Sequence, residues 1–155
     1  MLTRAAFVRI GLALVLIAIG WGCYPTVRYS DVPINDRRTN LAGLATLFGD
    51  YLQAHPDAYS KFSRILKAAD AILENRPRIT KGAVMRWLDE RLRQEGLRPE
   101  EIAGITAIRA VYLKGWDGAM FSTVSEDDRE LLYDLMAAVM GGMHRCPACP
   151  QMGPP

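Results

Sequence analysis

Most of the chain shows the hydrophobic pattern of amphipathic helices. From Thr39 onward, apolar residues recur at spacings of three and four, which is the helical period. The clearest stretch runs from Tyr59 to Leu73, where the spacings are three, four, three and four. No segment combines strict apolar–polar alternation with β-branched residues, so no sheet is predicted. The pattern predicts an all-α fold, a compact bundle of about five amphipathic helices over residues 39–143.

Capping and stop signals set the predicted helix bounds. Serine and threonine are favoured just before a helix, proline in its first turn, and glycine just past its end. The residue before a proline is disfavoured in a helix, so prolines also mark helix ends. These signals predict helices from Asn40 to Ala54, Pro56 to Asn75, Thr80 to Glu95, Pro99 to Lys114, and from Ser125 up to a stop at Gly141-Gly142.

The N-terminal segment has a membrane-like composition. Sixteen of the twenty residues from Ala5 to Tyr24 are hydrophobic, and Arg9 is the only charged one. A helix from Phe7 to Tyr24 would be about 27 Å long at 1.5 Å per residue, close to the ~30 Å of a bilayer core. Residues 1–24 are therefore predicted to be a transmembrane anchor or a signal segment.

Three alternatives to an uncleaved anchor stay open. A cleaved signal peptide would end after Gly20. Ala18 and Gly20 would then be at positions −3 and −1 relative to the cleavage site, where signal peptides have small residues. A lipoprotein signal would attach lipid to Cys23, although Gly20-Trp21 departs from the usual lipoprotein pattern at two positions. The soluble alternative is a buried core helix.

A linker and the flanking charges complete the predicted topology. Residues 25–38 contain two prolines and no helical period, which predicts an extended linker between the membrane and the bundle. Arg4 and Arg9 favour a cytoplasmic N-terminus, so the bundle is predicted to be extracytoplasmic. The predicted localisation is the membrane, and the membrane is itself a predicted partner.

Composition and charge fit one globular domain. The chain has 155 residues, 50% of them hydrophobic, and a net charge of +2, which excludes extensive disorder.

Charge is segregated along the chain. Residues 61–98 hold ten basic and five acidic residues, whereas residues 99–155 hold four basic and eight acidic residues. Solvated helix faces explain this segregation, and a basic face for anionic lipid or nucleic acid is the alternative. Nucleic acid is disfavoured, because a helix-turn-helix over Thr80 to Lys114 would place acids at the start of its second helix.

The C-terminal tail, residues 144–155, contains the one local motif. The motif consists of His144, Cys146 and Cys149, and the spacing of the two cysteines places both thiols on one side of a turn. A disulfide between Cys146 and Cys149 is predicted for an extracytoplasmic domain. The alternative is a thiol or metal protein in which all three residues bind zinc, although the two cysteines supply only half of a four-ligand site. No other cofactor is predicted.

The rest of the chain favours a non-catalytic role and leaves enzymatic activity open. His55 has no recognisable nucleophile or second histidine at a useful spacing, and the carboxylates of Asp127 and Asp128 are interpreted as solvated surface. The motifs of common hydrolases and nucleotide-binding proteins do not occur in the sequence.

The loop before the last helix contains the candidate partner-binding residues. Trp116, Met120 and Phe121 are large apolar residues near flexible glycines, so they are candidates for contact with a protein partner. Capping of the core is the alternative role for them. The function predicted from the sequence is a membrane-tethered helical module that acts by protein–protein interaction at the cell envelope.

Overall fold

The computed structural model describes residues 29–147, and every regular element among them is helical. Short 3-10 turns lie at Tyr29–Asp31 and Asp117–Ala119, and one isolated antiparallel bridge joins Thr80 to Thr123. This part of the chain confirms the predicted all-α fold of about five helices. The helices α1 to α5 are, in chain order, Ile34–Ala54, Ala58–Asn75, Lys81–Gln94, Pro99–Tyr112 and Glu126–His144.

The predicted membrane segment lies outside the described residues. This applies to the whole stretch from Ala5 to Tyr24 and to the candidate lipid site at Cys23, and Cys149 is likewise outside. Within residues 29–147, none of the helices has both the length and the apolar character needed to cross a bilayer. The anchor, signal and lipoprotein alternatives stay predictions.

Helices α1 and α5 lie side by side and run in the same direction. Near their starts, Arg37 Nη1 is 2.7 Å from Glu130 Oε1, and near their ends Gln53 donates to the Arg145 carbonyl oxygen at 3.3 Å. We call the end with their N-termini the Tyr29 end, and it also holds the C-terminus of α2 and the N-terminus of α3. We call the opposite end the Cys146 end, and it holds the α1–α2 turn and the α3–α4 loop.

Glycines allow α1 and α5 to pack backbone against backbone. A Cβ added to Gly142 would lie 2.6 Å from the Ala45 carbonyl oxygen and 3.0 Å from the Gly49 nitrogen. The prediction that Gly141-Gly142 ends the last helix is wrong, because α5 continues to His144. Gly142 allows the close contact with α1, whereas a Cβ at Gly141 would make only an ordinary contact with the Ala45 side chain, 3.7 Å away.

Helix α1 begins at Ile34, six residues before the predicted start at Asn40. Pro33 immediately precedes it, where a missing N–H costs no helical hydrogen bond. Residues 34–38 are therefore helical although the sequence predicts an extended linker there. Arg37 in this first turn pairs with Glu130 on α5, a contact that the local pattern of apolar residues does not show.

The short segment before α1 is bound to α5. The backbone N–H groups of Tyr29 and Ser30 donate to the two carboxylate oxygens of Asp127, at 2.9 and 2.7 Å. The Tyr29 hydroxyl donates to Asp134 at 2.7 Å, and burial together with this hydrogen bond raises the pKa of Tyr29. Asp127 is half-buried and is more than a solvated surface carboxylate, since it binds the segment that leads into α1.

The predicted caps at Thr80 and Ser125 are confirmed. Thr80 Oγ1 accepts from the backbone of Ala83 at 3.2 Å, and Ser125 Oγ accepts from the backbone of Asp128 at 3.1 Å. The Asp128 carboxylate also accepts from the Ser125 N–H at 2.9 Å and lies 3.0 Å from Lys81 Nζ. Burial by itself would raise the pKa of Asp128, but the hydrogen bonds from Ser125 and the contact with Lys81 lower it overall.

Acid is expected to remove the contribution of Asp128 to folding. Its pKa is lower in the folded chain than in the unfolded one, so its stabilisation is complete above the unfolded value of about 3.9 and is lost as the pH falls through the folded value. Urea unfolding of the chain and of Asp128→Asn across this range checks the effect, since asparagine keeps a capping oxygen without the charge. The difference in unfolding free energy should shrink as the pH falls below about 4. A difference that does not change with pH would contradict this role.

Candidate functional site

The loop between α4 and α5 has a backbone that is fixed by the first turn of α3. The Gly82 N–H donates to the Met120 carbonyl oxygen, and the Lys81 N–H donates to the Ser122 carbonyl oxygen, both at 2.9 Å. Glycine is required at position 82, because a Cβ there would lie 2.7 Å from the Met120 carbonyl oxygen. Both neighbours of Phe121 are therefore held, and the loop presents Phe121 in a defined position.

The structure separates the three predicted partner-binding residues. Trp116 is only 4% exposed and belongs to the core, with its ring centre 5.2 Å from Lys81 Nζ. Met120 is partly buried against the same core. Phe121 is 97% exposed. Trp116 and Met120 therefore cap the core, and Phe121 is the residue of the three that a partner can cover.

Phe121 lies at the Tyr29 end of the bundle. The loop is bonded to the start of α3, and Lys81 joins the start of α3 to Asp128 at the start of α5. Another exposed apolar residue, Ile34, lies in the first turn of α1 at the same end and is 55% exposed. Burying a phenylalanine side chain is worth roughly 1.5–3 kcal/mol, and Phe121 contributes none of this to folding. Its side chain is available for a contact outside the chain.

A partly open apolar cavity of about 170 Å³ lies between the helices. All five helices contribute to its lining, and the one charged lining residue, Arg109, pairs with Asp89. An apolar cavity of about 150 Å³ is large enough to bind benzene. An apolar ligand in it would remove apolar lining from water and would therefore stabilise the fold. The lining includes Phe62, Ile72, Trp87, Ile105 and Leu132.

A second depression, of about 160 Å³, forms a groove on the surface between α2 and α5. Two residues, Leu66 and Met136, line both the groove and the cavity. The side chains of these two residues therefore form the boundary between the two spaces. The remaining groove residues are the polar Ser63, Lys67 and Asp70 on α2 and the exposed Tyr133 and Met140 on α5.

A polar network at the Cys146 end surrounds the buried carboxylate of Glu101, whose side chain is fully inaccessible. This carboxylate accepts from the Tyr51 hydroxyl at 2.8 Å and from the Arg98 N–H at 2.6 Å, and Lys61 Nζ lies 3.9 Å away. The network joins the start of α4 to α1 and α2. The sequence offers no signal for it, because the Tyr51 partner is fifty residues away along the chain.

His55 belongs to the same end and has structural partners. The Arg98 guanidinium lies 2.6 Å from His55 Nδ1 and also donates to Asp57, where the hydrogen bond lowers the pKa of the aspartate. A guanidinium can only donate, so His55 Nδ1 is the acceptor in this contact. These contacts hold the α1–α2 turn against the α3–α4 loop, which fits the interpretation of His55 as a loop histidine.

The C-terminal motif is described only in part. Cys146 is 3% exposed, its sulfur is in a disulfide, and it packs in the core at this end, whereas His144 is exposed. A disulfide sulfur carries no thiolate charge and is a poor metal ligand. Within residues 29–147, no group of three or more His, Cys, Asp or Glu side chains is placed to hold a metal ion. Because Cys149 lies outside these residues, both its pairing with Cys146 and zinc binding stay predictions.

Residues 29–147 therefore form a five-helix bundle that has an apolar cavity and a loop that exposes Phe121. Comparison with protein-family models, with curated proteins and with solved structures finds no match to this chain. Only the residues and geometry of the chain itself therefore bear on its function.

Proposed function

We propose that this chain is a membrane-tethered helical module that acts by non-catalytic protein–protein contact through Phe121. The observation that supports this is the 97% exposure of Phe121 on a loop whose backbone is bonded on both sides of it. Aromatic side chains are frequent binding hot spots, and a rigid loop loses little entropy when a partner covers it. The loop therefore has the properties of a preorganised contact site.

The proposed tether constrains which partner Phe121 can reach. The apolar segment of the sequence ends at Tyr24, and the chain is bound to α5 from Tyr29 onward. The four residues between them, 25–28, span at most ~14 Å when fully extended. With an anchor in the bilayer, the Tyr29 end and Phe121 would lie close to the membrane surface on its extracytoplasmic side. Lipid attached to Cys23 would give nearly the same tether. The partner we propose is a protein of the same membrane.

Replacing Phe121 with serine is expected to disrupt the proposed complex without affecting folding. The melting temperature should not change, since a residue that is almost wholly exposed contributes little to stability. In native membrane extracts, the unaltered chain should sediment as part of a larger assembly and Phe121→Ser as the free chain. The matched control is Ile34→Ser, which removes another exposed apolar side chain at the same end and should leave the assembly intact.

Two results of the sedimentation experiment would contradict the proposal. The first is an unaltered chain that sediments alone, and the second is an assembly that persists in Phe121→Ser. Loss of the assembly in both variants would show that it depends on any exposed apolar side chain at the Tyr29 end. That result would also count against a specific role for Phe121.

A further inference from the structure

We propose that the cavity and the α2–α5 groove together bind one zwitterionic single-chain amphiphile. Its apolar chain would lie between the helices, and its head group would lie in the groove against α2. This site is separate from the Phe121 loop and does not depend on the protein contact proposed above.

The cavity lining selects an apolar chain. Its lining residues are apolar except for Arg109, and the guanidinium of Arg109 is already paired with Asp89. Burying a polar ligand there without hydrogen bonds would be unfavourable, whereas an apolar chain leaves no polar group unsatisfied. The cavity, at about 170 Å³, is only slightly larger than one that binds benzene, so it has room for one short chain and not for two.

The groove provides one cation and one anion for the head group. Lys67 and Asp70 are both exposed groove residues on α2, and within residues 29–147 neither of them forms an ion pair. A zwitterionic head group could place its anion beside Lys67 and its cation beside Asp70. A singly charged head group would meet one like charge, so charge complementarity favours the zwitterion.

The chain would pass from the groove to the cavity between Leu66 and Met136. Both residues line both spaces, so a chain in the cavity with its head group in the groove must cross this boundary. Methionine is flexible and adapts to different neighbours, which suits a residue that must move aside for a ligand. The exposed Tyr133 and Met140 extend the apolar surface of the groove beyond this point.

Photolabelling with a defined lipid tests the site. The full chain in bilayers of diacyl lipid is exposed to a single-chain phosphocholine with a photoreactive group at its chain end, and adducts are mapped by peptide mass spectrometry. Adducts are expected on cavity residues such as Ile72, Trp87 and Ile105. Unlabelled lysophosphatidylcholine should compete about fivefold better than a fatty acid or an alkyltrimethylammonium ion of equal length, the factor that corresponds to about 1 kcal/mol for one lost ion pair at an exposed site.

A cavity-filling variant provides the matched comparison. Ala69 lines the cavity, whereas Ala71 on the same helix is exposed. Ala69→Phe should reduce labelling at least about tenfold, because displacing two buried methylene groups corresponds to that factor, and Ala71→Phe should label like the unaltered chain. Adducts confined to the outer surface, or labelling retained in a folded Ala69→Phe, would overturn the site. Should Ala69→Phe not fold, the adduct map of the unaltered chain decides. Equal competition by all three head groups would overturn the zwitterion assignment.

Discussion

Alanine at Gly142 is expected to lower the free energy of unfolding by about 2–3 kcal/mol, because the added Cβ overpacks the contact between α1 and α5. That atom would lie 2.6 Å from the Ala45 carbonyl oxygen and 3.0 Å from both the Gly49 nitrogen and the Phe48 Cβ. Two of these atoms are backbone, so they can give way only if the two helices separate. Urea unfolding followed by circular dichroism measures the loss.

Gly104→Ala is the matched control for this substitution. Gly104 also lies inside a helix, but a Cβ there meets nothing within 4 Å. Alanine should therefore stabilise the chain by about 0.5–1 kcal/mol through its better helix propensity. A Gly142→Ala variant that is as stable as the unaltered chain would contradict the close packing of α1 and α5.

Replacing Glu101 with alanine is expected to cost about 3–4 kcal/mol, because it removes one partner from a buried charged network. Without this carboxylate, the Tyr51 hydroxyl and the Arg98 N–H lose their acceptor, and Lys61 loses its nearby negative charge. Glu101→Gln should lose less, since its amide oxygen can still accept. Urea unfolding compares the two variants.

Glu100→Ala isolates the contribution of burial. Glu100 and Glu101 both lie in the first turn of α4, where a negative charge interacts favourably with the helix dipole. Removing that common effect at Glu100 should cost only about 0.3–1 kcal/mol. Equal losses in the two alanine variants would show that the Glu101 network adds nothing beyond the dipole.

The local features of the fold follow from the sequence. The spacing of apolar residues predicts the helices, and the caps at Thr80 and Ser125 occur where hydroxyl residues precede helical stretches. Gly96 has a φ of +60° after α3, which is the backbone geometry expected of a glycine just past a helix end. These features depend on interactions within three or four residues, which a single sequence displays directly.

The features that the sequence does not display depend on distant residues. The start of α1 at Ile34 and the helical Gly141-Gly142 both result from contacts between α1 and α5, whose residues lie about ninety or more positions apart. The burial of Glu101 likewise depends on a distant partner, Tyr51 on α1, which lies fifty residues earlier. Neither the period of apolar residues nor a capping signal encodes which helices become neighbours.

The sequence predicts the candidate site only in part. Composition and loop position select Trp116, Met120 and Phe121 as a group, but they do not show which side chain faces solvent. That choice depends on the register of the loop against α3, set by the bonds of Lys81 and Gly82. The cavity gives no local signal, since its lining residues look like ordinary core positions in every helix.

Photo-crosslinking from position 121 tests the central proposal most directly. The full chain is produced in cells with a photoreactive amino acid in place of Phe121, and a second version carries it in place of the exposed Ala71 on α2. A discrete crosslink to one membrane protein is expected from position 121 and not from position 71. Crosslinks from position 121 to lipid alone, or none above the position 71 control, would contradict the proposed protein contact.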